Sequence, residues 1–151
     1  RKQTEYRDKV IGGIEAPKVV AGVKATDVPR TYHVDPTLTV DRDIRNAEGA
    51  LLFARGIKVN PFDHVSLTRK LLFFDGRDSR QVAFAKLRLG EGGGKNKPIL
   101  VAGEPLKLMR VWKQTVYYDQ GGSLVRRLGI RQVPAIVSQD GKRLRIDEVR
   151  P

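Results

Sequence analysis

Two short segments hold the residues whose types and spacing could do chemistry. The first is Asp75-Gly76-Arg77-Asp78, which follows the apolar run 71–74 and precedes a helical pattern. A strand–loop–helix corner of this kind aims a helix N-terminus at the loop and stabilises an anion there, a thiolate above all. The chain contains no cysteine, so the dipole meets acidic residues instead. Asp78 reads as a helix cap and Asp75 as an acceptor for loop amides; a catalytic carboxylate pair would lack both a nucleophile and a partner acid. The second segment is Arg131-Gln132-Val133-Pro134, which leads into a β-branched run. A cis peptide before Pro134 would hold the following strand edge open and present backbone groups of Gln132 and Val133. Such a proline either only sets the turn and packs the core, or keeps a strand edge open for a peptide or partner.

Other chemistries fare worse. His33 and His64 are the only histidines and are 31 positions apart, outside any ligand cluster, so no metal site is expected. The glycine-rich stretch 90–97 has Leu89 where a phosphate-binding loop needs its first glycine, and Asn96 where it needs Ser or Thr after Lys95. Trp112, Tyr117 and Tyr118 fall where core is expected, which favours packing over base stacking. No catalytic residue and no cofactor is expected.

The elements that must position the two segments follow from periodicity. Residues 1–34 carry Gly12, Gly13, Pro17, Gly22 and Pro29 without a sustained period and read as an extended arm or linker. Val10, Ile11, Val19 and Val20 are too apolar for permanent exposure, so the arm docks either on a neighbouring chain or on its own domain. A β-hairpin is expected over 38–55, turning at residues 46–49. Residues 71–74 suit a buried central strand. Asp78 with Gln81 has the form of a capping box for a helix over 79–89, with Val82, Ala85 and Leu89 on one face and Gly90 as its stop. Residues 90–97 read as a surface loop and 99–102 as a strand; Pro105 starts a helix over 106–113. A strand over 116–118, a short helix over 124–128 capped by Ser123 and ended by Gly129, and a hairpin of 135–138 with 142–146 turning at Asp140-Gly141 complete the pattern. Leu144 and Ile146 should face inward, Arg143 and Arg145 outward. A core of 71–149 results.

The run LGIRQVPAIVSQDG from Leu128, with its helix-ending glycine, its proline and its hairpin turn, resembles the thioredoxin-like fold. The resemblance implies an α/β fold class: a thioredoxin-like mixed sheet flanked by helices, preceded by the hairpin and the arm. Three segments in order, DPTLTVDRDIRNAEG from Asp35, LLFFDGRDSRQVAFA from Leu71 and VYYDQGGSLVRRLGIRQVPAIVSQDG from Val116, together resemble the TraW family over about residues 35–149. That family implies a periplasmic protein required for pilus assembly in F-type conjugative type IV secretion. It also implies a TrbC-like subunit as the closest partner, with TraU, TraN and other envelope components as further associates.

The 151 residues suit one compact domain plus an arm, and no apolar run approaches the length of a membrane span. Arg1 stands first with no signal-like stretch behind it, as in a processed or trimmed chain. The absence of cysteine chooses no compartment. The formal charge of +12 permits attraction to nucleic acid, anionic lipid or an acidic partner, but it is dispersed: 13 basic and 9 acidic residues in 1–70, 16 and 8 in 71–151. The rivals to a binding role are therefore a thiol-disulfide enzyme or peroxidase, opposed by the missing cysteine, and a basic nucleic-acid-binding domain, opposed by the missing patch. Purified protein is expected to turn over neither insulin disulfides nor glutathione disulfide above a blank. In a salt titration, nucleic-acid binding should be weak, sequence-independent and gone by roughly 200 mM.

Overall fold

Successive side chains of a strand point to opposite faces, so an apolar run buried throughout needs cover above and below. The computed structural model, which describes residues 17–151, supplies both layers. Its strands are β1 (Lys24–Ala25), β2 (Arg30–Val34), β3 (Leu38–Thr39), β4 (Ile44–Arg45), β5 (Leu51–Phe53), β6 (Lys58–Val59), β7 (Lys70–Asp75), β8 (Asn96–Ala102), β9 (Tyr117–Tyr118), β10 (Gln132–Val133), β11 (Ala135–Asp140) and β12 (Arg143–Glu148). Three α-helices, α1 (Ser79–Glu91), α2 (Pro105–Trp112) and α3 (Ser123–Leu128), lie between β7 and β10.

A six-stranded sheet in the order β2-β12-β11-β7-β8-β9 forms the centre. β7, β8 and β9 run parallel, and β11, β12 and β2 add antiparallel neighbours. The fold is thus the expected mixed sheet with helices on its faces. Residue parity sorts the core. Leu72, Phe74 and Leu100 pack with Ala85, Val116 and the apolar faces of α1 and α2. Phe73, Ile99, Val101, Ala135, Val137 and Ile146 point the other way, onto Val125 and Leu128 of α3 and onto Val20. Trp112 stacks on Phe74 with ring centroids 5.7 Å apart and Tyr118 packs against the core, whereas Tyr117, expected there too, is exposed under Lys97.

The boundary expected after residue 34 is not a structural break. From Pro17 onward the chain straps the α3 face: Val20 N–H donates to Val101 O at 2.9 Å, and the Tyr118 hydroxyl donates to Lys18 O at 2.8 Å. The strap then pairs as β1 with β10 and returns as the sheet edge β2. Val19 stays 46% exposed while Val20 is buried, so the described part of the arm docks on its own domain. Val10 and Ile11 lie outside the described residues.

Three local expectations also change. The hairpin expected over 38–55 runs on to β6, because β3 pairs with β6 outside the β4–β5 turn. Helix α1 passes through Gly90 and stops at Gly92, where an added Cβ would meet the Asn96 amide, so the loop expected over 90–97 shrinks to a turn before β8. Because that glycine turn leaves a helix and enters a strand, it has the opposite polarity to a phosphate cradle. Finally, Ser123 does not cap α3. The buried Asp119 does, its Oδ1 accepting from Leu124 N–H and its Oδ2 from Val125 N–H, both at 3.0 Å. A chemical-denaturation comparison should separate the two residues: Asp119→Ala is expected to cost about 1–2 kcal/mol, and exposed Ser123→Ala to stay within about 0.5 kcal/mol of wild type.

Candidate functional site

The two segments singled out by residue type come together at one end of the sheet. Strand β11 pairs with β7 in the register Ala135↔Phe73, and continuing that register puts Val133 level with Asp75. The Val133–Pro134 peptide is cis. The remaining question is which of the polar and backbone groups gathered there are free.

In the first loop they are not. The Asp75 carboxylate accepts from Arg77 N–H at 2.8 Å and takes a two-pronged ion pair from the Arg77 guanidinium at 3.1 and 2.9 Å. Burial works to raise the Asp75 pKa, but the Arg77 hydrogen bonds outweigh it and hold the group below its ordinary value. Asp78 accepts from Arg80 N–H as the cap of α1. Gln81 does not complete the capping box in the expected way. Its Oε1 accepts from Asp75 N–H, and its Nε2 donates to Asp78 Oδ2, tying both ends of the loop to the helix. Gly76 is needed for contact: a Cβ there would lie 2.9 Å from Leu100 Cδ2 and 3.0 Å from Ala102 O. Gly103, at φ 105°, meets the Gly76 backbone from the other side. The loop is closed on itself and braced by β8.

In the second loop, of the two readings of Pro134, the edge kept open for a partner does not hold, because the chain's own strap fills that edge. Lys24 N–H donates to Arg131 O at 3.1 Å and Thr26 N–H to Val133 O at 2.8 Å, so β1 occupies the edge of β10. Gln132, Val133 and Pro134 are buried. A β-strand edge accepts one partner, and a tethered segment reaches it at far higher effective concentration than a free peptide. Arg131 alone presents its side chain to solvent.

Beneath this edge lies a residue that the motif reading passed over. Glu148 is 1% exposed, and its carboxylate gathers Arg30, Arg131 and Gln132. The Arg30 guanidinium donates to both oxygens at 2.9 and 2.8 Å, Arg131 N–H donates at 2.9 Å and Gln132 N–H at 3.3 Å, and Gln132 Nε2 donates at 3.0 Å. Gln132 Oε1 in turn accepts from Asp27 and Val28 N–H, and its Nε2 also donates to Val28 O. Burial works to raise the Glu148 pKa; the hydrogen bonds from Arg30, Arg131 and Gln132 overcome it and bring the group down to about 2. A signal for it existed: Leu144, Ile146 and Glu148 share one strand parity, so an acid was due on an inward face and required partners there.

The histidines stay apart from this end of the molecule. His33 Nε2 meets Asp140 at 2.8 Å on the surface, and His64 sits edge-on to Phe53. Among the described residues no group of three His, Asp or Glu side chains could hold a metal ion.

Protein TraW of Escherichia coli (strain K12) is 36% identical over 138 residues, which is 91% of this chain. Over the residues that align, the chain is similar to that TraW protein. It spans about 65% of that relative's length. No family model matches the chain, and no significant match was found among solved structures. In this chain the paired loops form a self-contained polar junction whose backbone edge is sealed by residues 24–28.

The Glu148 junction has a pH signature. A carboxyl depressed from 4.5 to about 2 contributes stability that is complete above about 4.5 and is lost as pH falls through about 2. Glu148→Gln is expected to cost roughly 3 kcal/mol at pH 7. The gap between variant and wild type should close between pH 4.5 and 2, as followed by urea unfolding. A gap that stays constant across that window would contradict the assignment.

Proposed function

We propose that this chain is a non-catalytic assembly component of an F-type conjugative type IV secretion system, acting in the periplasm by binding other subunits during pilus assembly. The observation that carries the reading is the 36% identity to Protein TraW over 91% of the chain. The architecture supports it: the layered mixed sheet, the α1 corner after β7 and the cis-proline loop beside it are read here as a thioredoxin-like scaffold. The corner carries Asp75 and Asp78 in place of a thiol, and both carboxylates are committed within the loop. A TrbC-like subunit is the first partner expected, with TraU and TraN as further associates.

The charge also favours protein partners over nucleic acid. Arg30, Arg45, Arg77, Arg88, Arg145 and Arg150 each have a carboxylate within ion-pair distance. No helix among the described residues is long and apolar enough to cross a membrane.

In-frame deletion of the gene from its host element, followed by complementation, tests the proposal. Loss of donor transfer and of surface pili is expected, restored by the wild-type chain. The protein should appear in the osmotic-shock fraction and copurify with the TrbC-like subunit. Undiminished transfer after deletion would overturn the reading.

A further inference from the structure

With the β10 edge sealed, the most prominent concavity beside the Asp75 loop is a groove between α1 and α2 of about 690 Å³. Val82 and Ala83 line one wall, Leu108 and Val111 the other, and Gly76 and Gly103 form the floor at the loop end. The lining is apolar and open to solvent: Val111 is 65% exposed, and Val19 at the groove mouth is 46% exposed. Helix α2 thus turns Leu108 and Met109 to the core while offering Val111 outward.

The rim has a sign. Lys86 on α1 and Lys107 on α2 are both exposed, stand on opposite walls and have no ion-pair partner among the described residues. Arg77 is already paired with Asp75, and Glu104 is the one acidic side chain in the lining. An apolar trough between two facing helices is the shape that receives the apolar stripe of an amphipathic helix. Two cations at its margins select the charge of such a helix, because like charges brought together cost affinity while opposite ones guide the encounter.

We propose that this groove seats an acidic amphipathic segment of a partner subunit, with its apolar stripe on Val82, Leu108 and Val111 and its carboxylates against Lys86 and Lys107. The inference rests on the assembly role proposed above and adds a surface and a partner chemistry to it.

A photo-crosslinking residue placed at Val111 of the full chain, expressed in donor cells, tests it by sequencing the adduct. The expected adduct is an intermolecular one to a segment of net negative charge with apolar residues at i, i+3 and i+4 spacing. Its yield should fall roughly ten-fold or more when Lys86→Glu and Lys107→Glu are combined. The melting temperature of the purified double variant should match that of wild type, since both lysines are exposed and unpaired. An adduct to residues 1–16 of this chain, to a second copy, or to a neutral or basic segment would overturn the proposal. So would a yield indifferent to the charge reversal, or no adduct in cells whose transfer depends on the chain. The assembly role itself fails separately, if gene deletion leaves transfer intact.

Discussion

The buried carboxylate of Glu148 is the constraint around which the rest of this structure is arranged. A carboxylate 1% exposed is tolerable only when its lone pairs are filled, and the junction that fills them joins three places in the chain, the acid's own strand included. Arg30 arrives from the edge strand β2, Arg131 and Gln132 from the loop before the cis-proline, and Glu148 itself from the last strand. Gln132 relays the junction to the backbone of residues 27 and 28. One acid therefore fixes where the strap crosses, where β10 lies and how the sheet edge closes.

Sealing that edge shifts where this fold can meet other molecules. The strand before the cis-proline has its hydrogen-bonding edge satisfied by β1, and the Asp75 loop has its carboxylates satisfied by Arg77 and by Gln81. What remains open beside them is the trough between α1 and α2, with Gly76 and Gly103 in its floor. The same glycine pair that lets two loop backbones touch also keeps that part of the floor free of side chains. The corner at residues 75–78 is structurally a brace, and the apolar surface lies on its flank.

Much of the fold was legible because period and punctuation agree with it. The run Leu71 to Phe74 became the central strand, Asp78 the cap of α1, Pro105 the first residue of α2, and Gly129 the left-handed stop of α3. The failures share a cause. Ser123 looked like a cap because it stands at the right offset, yet Asp119 reaches the same amides from outside the helix by way of a glycine turn. Gly90 looked like a stop, yet the helix carried on because the tight contact that ends it involves Gly92 and Asn96. In both cases the deciding partner lay a few residues away, beyond what a single-position signal contains.

By itself, the sequence determined the local choices: which stretches are strands and helices, that parity would divide the core between two faces, that no thiol chemistry is available, and that the residues at 75–78 and 131–134 belong to one kind of corner. Those follow from side-chain type and short-range spacing, which act within a few residues. Tertiary structure alone decided that residues 17–34 belong to the domain, that the edge beside Pro134 is filled, that Glu148 is the hub, and that Lys86 and Lys107 face each other across an apolar groove. Each of these depends on groups brought together from distant parts of the chain. Burial and hydrogen-bond saturation are properties of that assembled neighbourhood, and no local period encodes them.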